Sequence, residues 1–314
     1  MPEKKLNFIC PLANTDLSIL KVSLDHGFKV ESLPEKKGTS LISILEHVSP
    51  YEARKKFVLD IPCLNSSEKK YYFITNSVGD VGTDKSGRWN ASQASNLCAH
   101  FESKFVIGYL APTIRLMRLF KEGNIYMPVF YFFYSDNSIP KLFMSVRRVP
   151  SLYTPSYSDE RYTLEDSEIP SLETFIQNTR LPFKQSFLEL AFGNFELSYQ
   201  TPNINLSFLS LMISLEVLFN PAHQELRYRV SRNTAVLLGK DRDDSGMIFS
   251  KIKELYDKRS AIVHKGKPSV VNEKELLELR HYVRESIKEI NRIDKDKNEL
   301  LDMLNACGFG ERVV

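Results

Sequence analysis

The sequence predicts an α+β protein: a mixed, sheet-containing N-terminal domain over residues 1–165, then an all-α helical bundle over residues 171–314. Three observations lead there. Residues 1–165 carry short β-branched and aromatic runs, which suit a pleated, half-buried surface. Beyond residue 171, apolar residues recur every three to four positions, the period of a helix with one face in a core. Between the two, residues 150–170 hold Pro150, Pro155, Pro170, several serines and a DERYTLEDSE charge run, a composition that connects rather than packs. A length of 314 residues suits two domains of about 150 residues each.

In the N-terminal half, residues 56–61 (KFVLDI) and 70–75 (KYYFIT) read as strands, the first closed by Pro62. Residues 126–134 (YMPVFYFFY) and 141–146 (KLFMSV) read as a hairpin, joined by the turn formers of residues 135–140. Residues 112–121 place Ile114, Met117 and Phe120 on one side of a short helix that stops before Gly123. Residues 76–96, rich in Gly, Ser, Asn and Asp, read as a long loop. Its glycines, Gly79, Gly82 and Gly87, lack a following Lys-Ser/Thr, so they do not spell a phosphate loop. The single tryptophan, Trp89, lies in this loop, either as an anchor or as a contact surface.

The C-terminal half reads as four or five helices. Residues 171–199 supply one or two around Pro182. Residues 203–219 are apolar almost all round, as the central helix of a bundle should be. Leu226, Val230, Thr234 and Leu237 keep helical spacing up to Gly239, and residues 241–246 read as a turn. Ile248, Ile252, Leu255, Ile262 and Val263 line the next helix. Asn272 with Glu275 has the form of a capping box, opening a helix whose core face is Leu276, Leu279, Val283, Ile287 and Ile290.

Composition excludes several functions. With 42 Lys and Arg against 39 Asp and Glu, the net charge is +3. That is neither a polybasic nucleic-acid coat nor an acidic tail. Cys10, Cys63, Cys98 and Cys307 are scattered, which suits a reducing cytosol and a cytoplasmic protein. The N-terminus has no apolar run of leader type, and no stretch is long and apolar enough to span a bilayer, so no membrane partner is expected. His26, His47, His100, His223, His264 and His281 are dispersed, and no Walker loop, His-Glu-x-x-His or Gly-x-Ser-x-Gly occurs. No metal or other cofactor is therefore expected.

One segment carries chemistry: residues 255–267, LYDKRSAIVHKGK. Arg259 precedes His264 by five positions on a helix that also bears Lys258, Lys265 and Lys267. The spacing alone is weak, since 17 arginines and six histidines in 314 residues give roughly 0.3 chance occurrences of it. Its context is more specific. Arg-x4–6-His with a polar residue after the arginine, here Ser260, resembles the signature of the HEPN superfamily. The flanking Leu-Tyr-x-x-Arg-Ser-x-Ile-Val-His-x-Gly is similar to the Apea-like HEPN family in particular. Residues 209–219 (LSLMISLEVLF), with Glu216, resemble that family's central helix, and residues 227–239 its next helix. The resemblance covers about residues 171–300; the N-terminal half resembles no family.

The resemblance implies an HEPN helical bundle acting as a metal-independent endoribonuclease, with tRNA or another RNA as substrate and Arg259 and His264 as catalytic residues. It also implies a homodimer or higher even oligomer, and a role as a toxin or antiphage effector. The N-terminal domain would then regulate or recruit, answering a phage or cellular trigger protein. Residue chemistry is compatible with that. RNA brings its own nucleophile, the 2′-OH; an imidazole can move its proton, and a guanidinium can hold the phosphate. Ser260, Lys258, Lys265, Lys267, Arg229 and Arg232 are candidate substrate contacts, with Glu216 and Tyr256 as structural support. Five helical residues span about 7.5 Å and about 140°, so Arg259 and His264 do not stack on one helix, whereas two apposed helices could close a site. Bland roles compete: a dipole-stabilising His264, an Arg259 paired with Glu216 or Asp257, a Glu216 paired with Arg259 or Arg229, a Tyr256 in the core. A different class of function is a non-catalytic RNA-binding or dimerisation module with a partner-sensing N-terminal domain. Local charge leaves room for RNA: residues 221–267 hold 11 Lys and Arg against 6 Asp and Glu.

Overall fold

The computed structural model describes residues 4–52, 70–83, 89–136, 139–146, 161–201, 203–220, 225–265 and 271–311. The chain divides into two compact units, Met1–Thr179 and Arg180–Val314. The architecture is α+β, with a sheet in the first unit and helices in the second. The division falls later than the 165–171 boundary read from composition. The reason is the helix Ile169–Asn178, whose Phe175 ring packs 5.8 Å from Phe120 of the first unit. The strand expected at residues 56–61 and most of the 150–170 connector lie outside the described residues.

The first unit is built on a five-stranded antiparallel sheet of order β2-β3-β1-β4-β5. The strands are β1 Lys4–Leu12, β2 Lys29–Pro34, β3 Lys70–Val81, β4 Phe130–Asp136 and β5 Ile139–Val146. The expected hairpin is β4–β5, closed by the Asp136–Ile139 pair. β1 was not legible in the sequence because it is central. Leu6, Phe8, Cys10 and Leu12 enter the core on one face and Ile9 enters it on the other, so the apolar–polar alternation of Lys5–Phe8 breaks off after four residues. Helix α1, Glu35–Glu46, covers the Ile9 face through Ile42 and Leu45. The opposite face is covered by a continuous helical run: α2 (Ala91–Phe101), a π-type stretch Glu102–Leu110, and α3 (Ala111–Phe120). Pro112 has no N–H to donate, and the widened π turns come just before it.

Of the long loop expected over residues 76–96, residues 84–88 lie outside the described residues, and both of its ends are regular structure. Its start extends β3 to Val81, and its end is the first turn of α2, capped by Asn90 accepting from the Gln93 N–H at 3.0 Å. Trp89 is an anchor, 4.7 Å from Tyr134 and 5.1 Å from Phe143 in the hairpin. Gly123 adopts φ +139°, and a Cβ there would lie 2.5 Å from Tyr162 Cα. The α3 exit and the fully buried Tyr162 therefore depend on glycine. Helix α4, Ile169–Asn178, completes the unit.

The second unit contains six described helices rather than four or five: α5 (Ser186–Gln200), α6 (Ile204–Phe219), α7 (Leu226–Leu238), α8 (Arg242–Lys265), α9 (Glu273–Ile293) and α10 (Lys297–Ala306). α6 is central, touching α5, α7, α8 and α9. Its serines satisfy themselves locally or on neighbours, as Ser214 Oγ does on the Ala191 carbonyl at 2.8 Å. The α9 core face is as the spacing predicts, and its capping box forms: Asn272 accepts from the Glu275 N–H at 3.0 Å and Glu275 from the Asn272 N–H at 3.1 Å. α9 also buries Arg280 and Arg284 against Ser198 and Tyr199 of α5, a polar layer that an apolar pattern does not reveal.

The turn before α8 is shorter than residues 241–246. A Cβ on Gly239 would fall 2.0 Å from Ser245 Oγ, so glycine lets α7 and α8 meet closely. Asp241 Oδ1 accepts from the Asp244 N–H at 2.8 Å, and helix starts at Arg242. Ile262 and Val263, expected to line the same face, are half-buried and 49% exposed respectively, so the buried face of α8 ends at Tyr256.

Candidate functional site

α8 is the longest described helix, 24 residues or about 36 Å. Asp243 and Asp244 in its first turn favour the positive end of its dipole. Ile248, Ile252 and Leu255 fix it to the bundle. Arg227, in the first turn of α7, forms an ion pair with Asp257. Residues 258–265 therefore carry α8 about 12 Å past that pair.

In these last two turns the arginine is held by an ion pair and the histidine is exposed. Arg259 Nε lies 3.2 Å from Glu216 Oε1 of α6, and a terminal nitrogen lies 3.5 Å from Oε2. The guanidinium sits 5.6 Å from the centre of the Tyr256 ring. The two charged side chains are 22% and 17% exposed, so the pair is shielded but not dry. The Nε contact is ionic rather than an aligned hydrogen bond, and Glu216 Oε1 is buried without a hydrogen-bond partner among the described residues. Tyr256 is buried. Burial pushes its phenol up to about 12; the Glu216 carboxylate beside it adds to the shift and Arg259 opposes it. It is thus an O–H donor at all ordinary pH. His264, one turn on and about 140° round the helix, is exposed and bonds to none of the described residues. Arg259 and His264 do not converge within one copy.

The other expected contacts divide. Ser260 is half-buried and lies between Arg259 and His264 around the helix. The Lys265 side chain and Lys267 lie outside the described residues. Lys258 is no free cation: it pairs with Glu275 of α9 and lies 3.9 Å from Glu254. Burial works to raise the Glu275 pKa, but Lys258, the Asn272 N–H and Lys251 together hold it below the ordinary carboxylate range. Arg232 is no substrate contact either. It donates to the carbonyls of Leu304 at 2.9 Å, Cys307 at 2.7 Å and Asn305 at 3.4 Å, so it caps the C-terminal end of α10. Arg229 lies 3.9 Å from Glu225, and its Nε is buried without a hydrogen bond among the described residues.

Sequence reasoning missed one feature near the site. α6 is not buried all round: Leu206 is 54% and Ile213 is 42% exposed, with Leu209 and Val217 half-buried on the same face. Glu216 borders this stripe at helical spacing. A helix apolar on every side, in a unit this small, was itself the signal for an unburied face. Among the described residues no group of three or more His, Cys, Asp or Glu could hold a metal ion. No described helix is long and apolar enough to cross a membrane.

No family model, curated protein or solved structure matches the chain.

Proposed function

We propose that the second unit is a metal-independent endoribonuclease of HEPN type, with Arg259 and His264 as its catalytic residues. The observation that carries this reading is the last two turns of α8, where a shielded carboxylate and a buried tyrosine hold Arg259 while His264 stands exposed. The 2′-oxygen of RNA attacks the adjacent phosphorus and the P–O5′ bond breaks. His264 takes the 2′-OH proton or delivers one to the leaving 5′-oxygen. Arg259 stabilises charge on the non-bridging oxygens. The products are a 2′,3′-cyclic phosphate, or a 3′-phosphate after hydrolysis, and a 5′-hydroxyl. DNA lacks the nucleophile and is not cut.

Since one copy does not bring Arg259 and His264 together, the reading requires an even assembly. The exposed Leu206–Ile213 stripe of α6, with Val263 on α8, supplies apolar surface beside Glu216 and Arg259 for a second copy. In the cell such an enzyme acts as a toxin or antiphage effector on tRNA or another RNA, in the cytoplasm, with the first unit sensing a phage or cellular trigger. Cleavage of RNA in EDTA by wild type, against His264→Ala and Arg259→Ala, tests the site. Equal cleavage by all three removes it.

The Glu216–Arg259 ion pair also favours a second reading, a non-catalytic RNA-binding or dimerisation module in which Arg259 is structural. Overexpression separates the two. A nuclease is toxic as wild type and tolerated as His264→Ala, whereas a module is tolerated in both forms even with a triggering phage present.

A further inference from the structure

A second feature of α8 runs from its middle to His264. Residues 253, 260 and 264 fall within about 40° of one another around the helix and span about 16 Å along it. Lys253 holds its ammonium 5.6 Å from the Phe249 ring centre and makes no ion pair among the described residues. Phe249 is the middle of a ladder of rings, 5.9 Å from Tyr228 of α7 and 5.7 Å from Phe309 beyond α10. Tyr228 is 54% exposed and Phe309 36%. Asp257 is the acid on this line, and its charge is taken by Arg227. Glu254, about a quarter-turn away, lies between Lys251 and Lys258.

We propose that this line and its rings form a track for single-stranded RNA that leads to His264. The proposal rests on the ribonuclease reading and names the strand state of its substrate. Aromatic rings beside an unpaired cation suit a strand with bases on one side and phosphates on the other. A protein partner would instead meet aliphatic surface, as the α6 stripe offers and this line does not. Rings stack only on bases free of a partner, so a duplex gains nothing from Tyr228 or Phe309. The last polar groups on the line are Ser260 and His264, so a strand lying along Lys253 arrives with its backbone at the imidazole.

The test uses the full chain carrying His264→Ala, so that RNA stays intact. The probe is a fluorescent oligouridine of about twelve nucleotides, compared with a duplex RNA of equal length. Anisotropy is read across a salt series. The single strand is expected to bind more tightly than the duplex. Tyr228→Leu, which keeps an apolar contact on Phe249, weakens single-strand binding about five-fold or more, and Tyr228→Trp preserves it. Lys253→Gln lowers the slope of log affinity against log salt by about 0.7, the share of one phosphate contact on a single strand. Thermal melting of each variant guards against loss of fold. If the single strand binds but Tyr228→Leu and Lys253→Gln change neither affinity nor slope, the track is overturned while wild-type cleavage still stands. Equal binding of duplex and single strand overturns it too. Absence of RNA binding together with absence of wild-type cleavage overturns both proposals.

Discussion

Glu216→Gln is the most revealing single change at the site. It keeps the shape of the side chain and removes the charge that holds Arg259. At 3.2 Å and an effective dielectric of about 20, the gross attraction is about 5 kcal/mol. Desolvation of two side chains that are 17% and 22% exposed offsets much of it. Exposed pairs are worth up to about 1 kcal/mol, and breaking a buried pair costs about 3–5 kcal/mol, so a pair of this exposure should cost about 1–3 kcal/mol. A domain with the usual 5–15 kcal/mol of stability stays folded. The variant should therefore melt lower yet remain cooperative in a denaturant titration followed by circular dichroism. Arg259 then loses its orientation, and RNA cleavage should fall about 10- to 100-fold. Unchanged melting with unchanged cleavage would refute the claim that Glu216 positions the arginine. Lower stability with full cleavage would leave it a purely structural partner.

Three further outcomes follow from the same contacts. Arg232→Met strips three carbonyls at the end of α10 of a charged donor, so stability should fall by about 2–3 kcal/mol and Tm by roughly 5–15 °C, read by calorimetry. Tyr256 has its phenol pKa raised in the fold, so the stability this group contributes is intact below pH 10 and is lost as pH rises towards about 12. Tyr256→Phe should flatten the alkaline fall in stability over that window; an identical slope in both proteins counts against a shielded phenol beside Glu216. Mixing Arg259→Ala with His264→Ala subunits should give cleavage above either parent, because a shared cleft keeps one arginine and one histidine. Activity no higher than the parents' contradicts the two-copy site.

How much of this was legible depended on whether each residue's partner is near in sequence. The α9 face, the Asn272–Glu275 cap and the end of α7 at Gly239 are set by spacings of a few residues, and all three are found as read. The β4–β5 hairpin is local in the same sense. β1 and β2 were missed because their partners are distant and β1 is buried on both faces. The two ends of residues 76–96 read as loop because their polar residues serve as a strand end and a helix cap. At the site, Glu216 with Arg259 was among the pairings foreseen, since an acid in an apolar helix needs a partner. Lys258 and Arg232 read as substrate contacts in the sequence because their partners, Glu275 and the carbonyls at the end of α10, lie 17 and more than 70 residues away. Charge counted along the chain cannot tell a paired cation from an unpaired one.

The central claim is that Arg259 and His264 cleave RNA through its own 2′-OH. The most direct measurement maps RNA ends after incubation with wild type, Arg259→Ala and His264→Ala in EDTA. The account predicts 5′-hydroxyl ends paired with cyclic or 3′-phosphate ends from wild type, few from either variant, and no cleavage of the matching DNA. Equal cleavage by all three proteins, or 5′-phosphate ends, would contradict it.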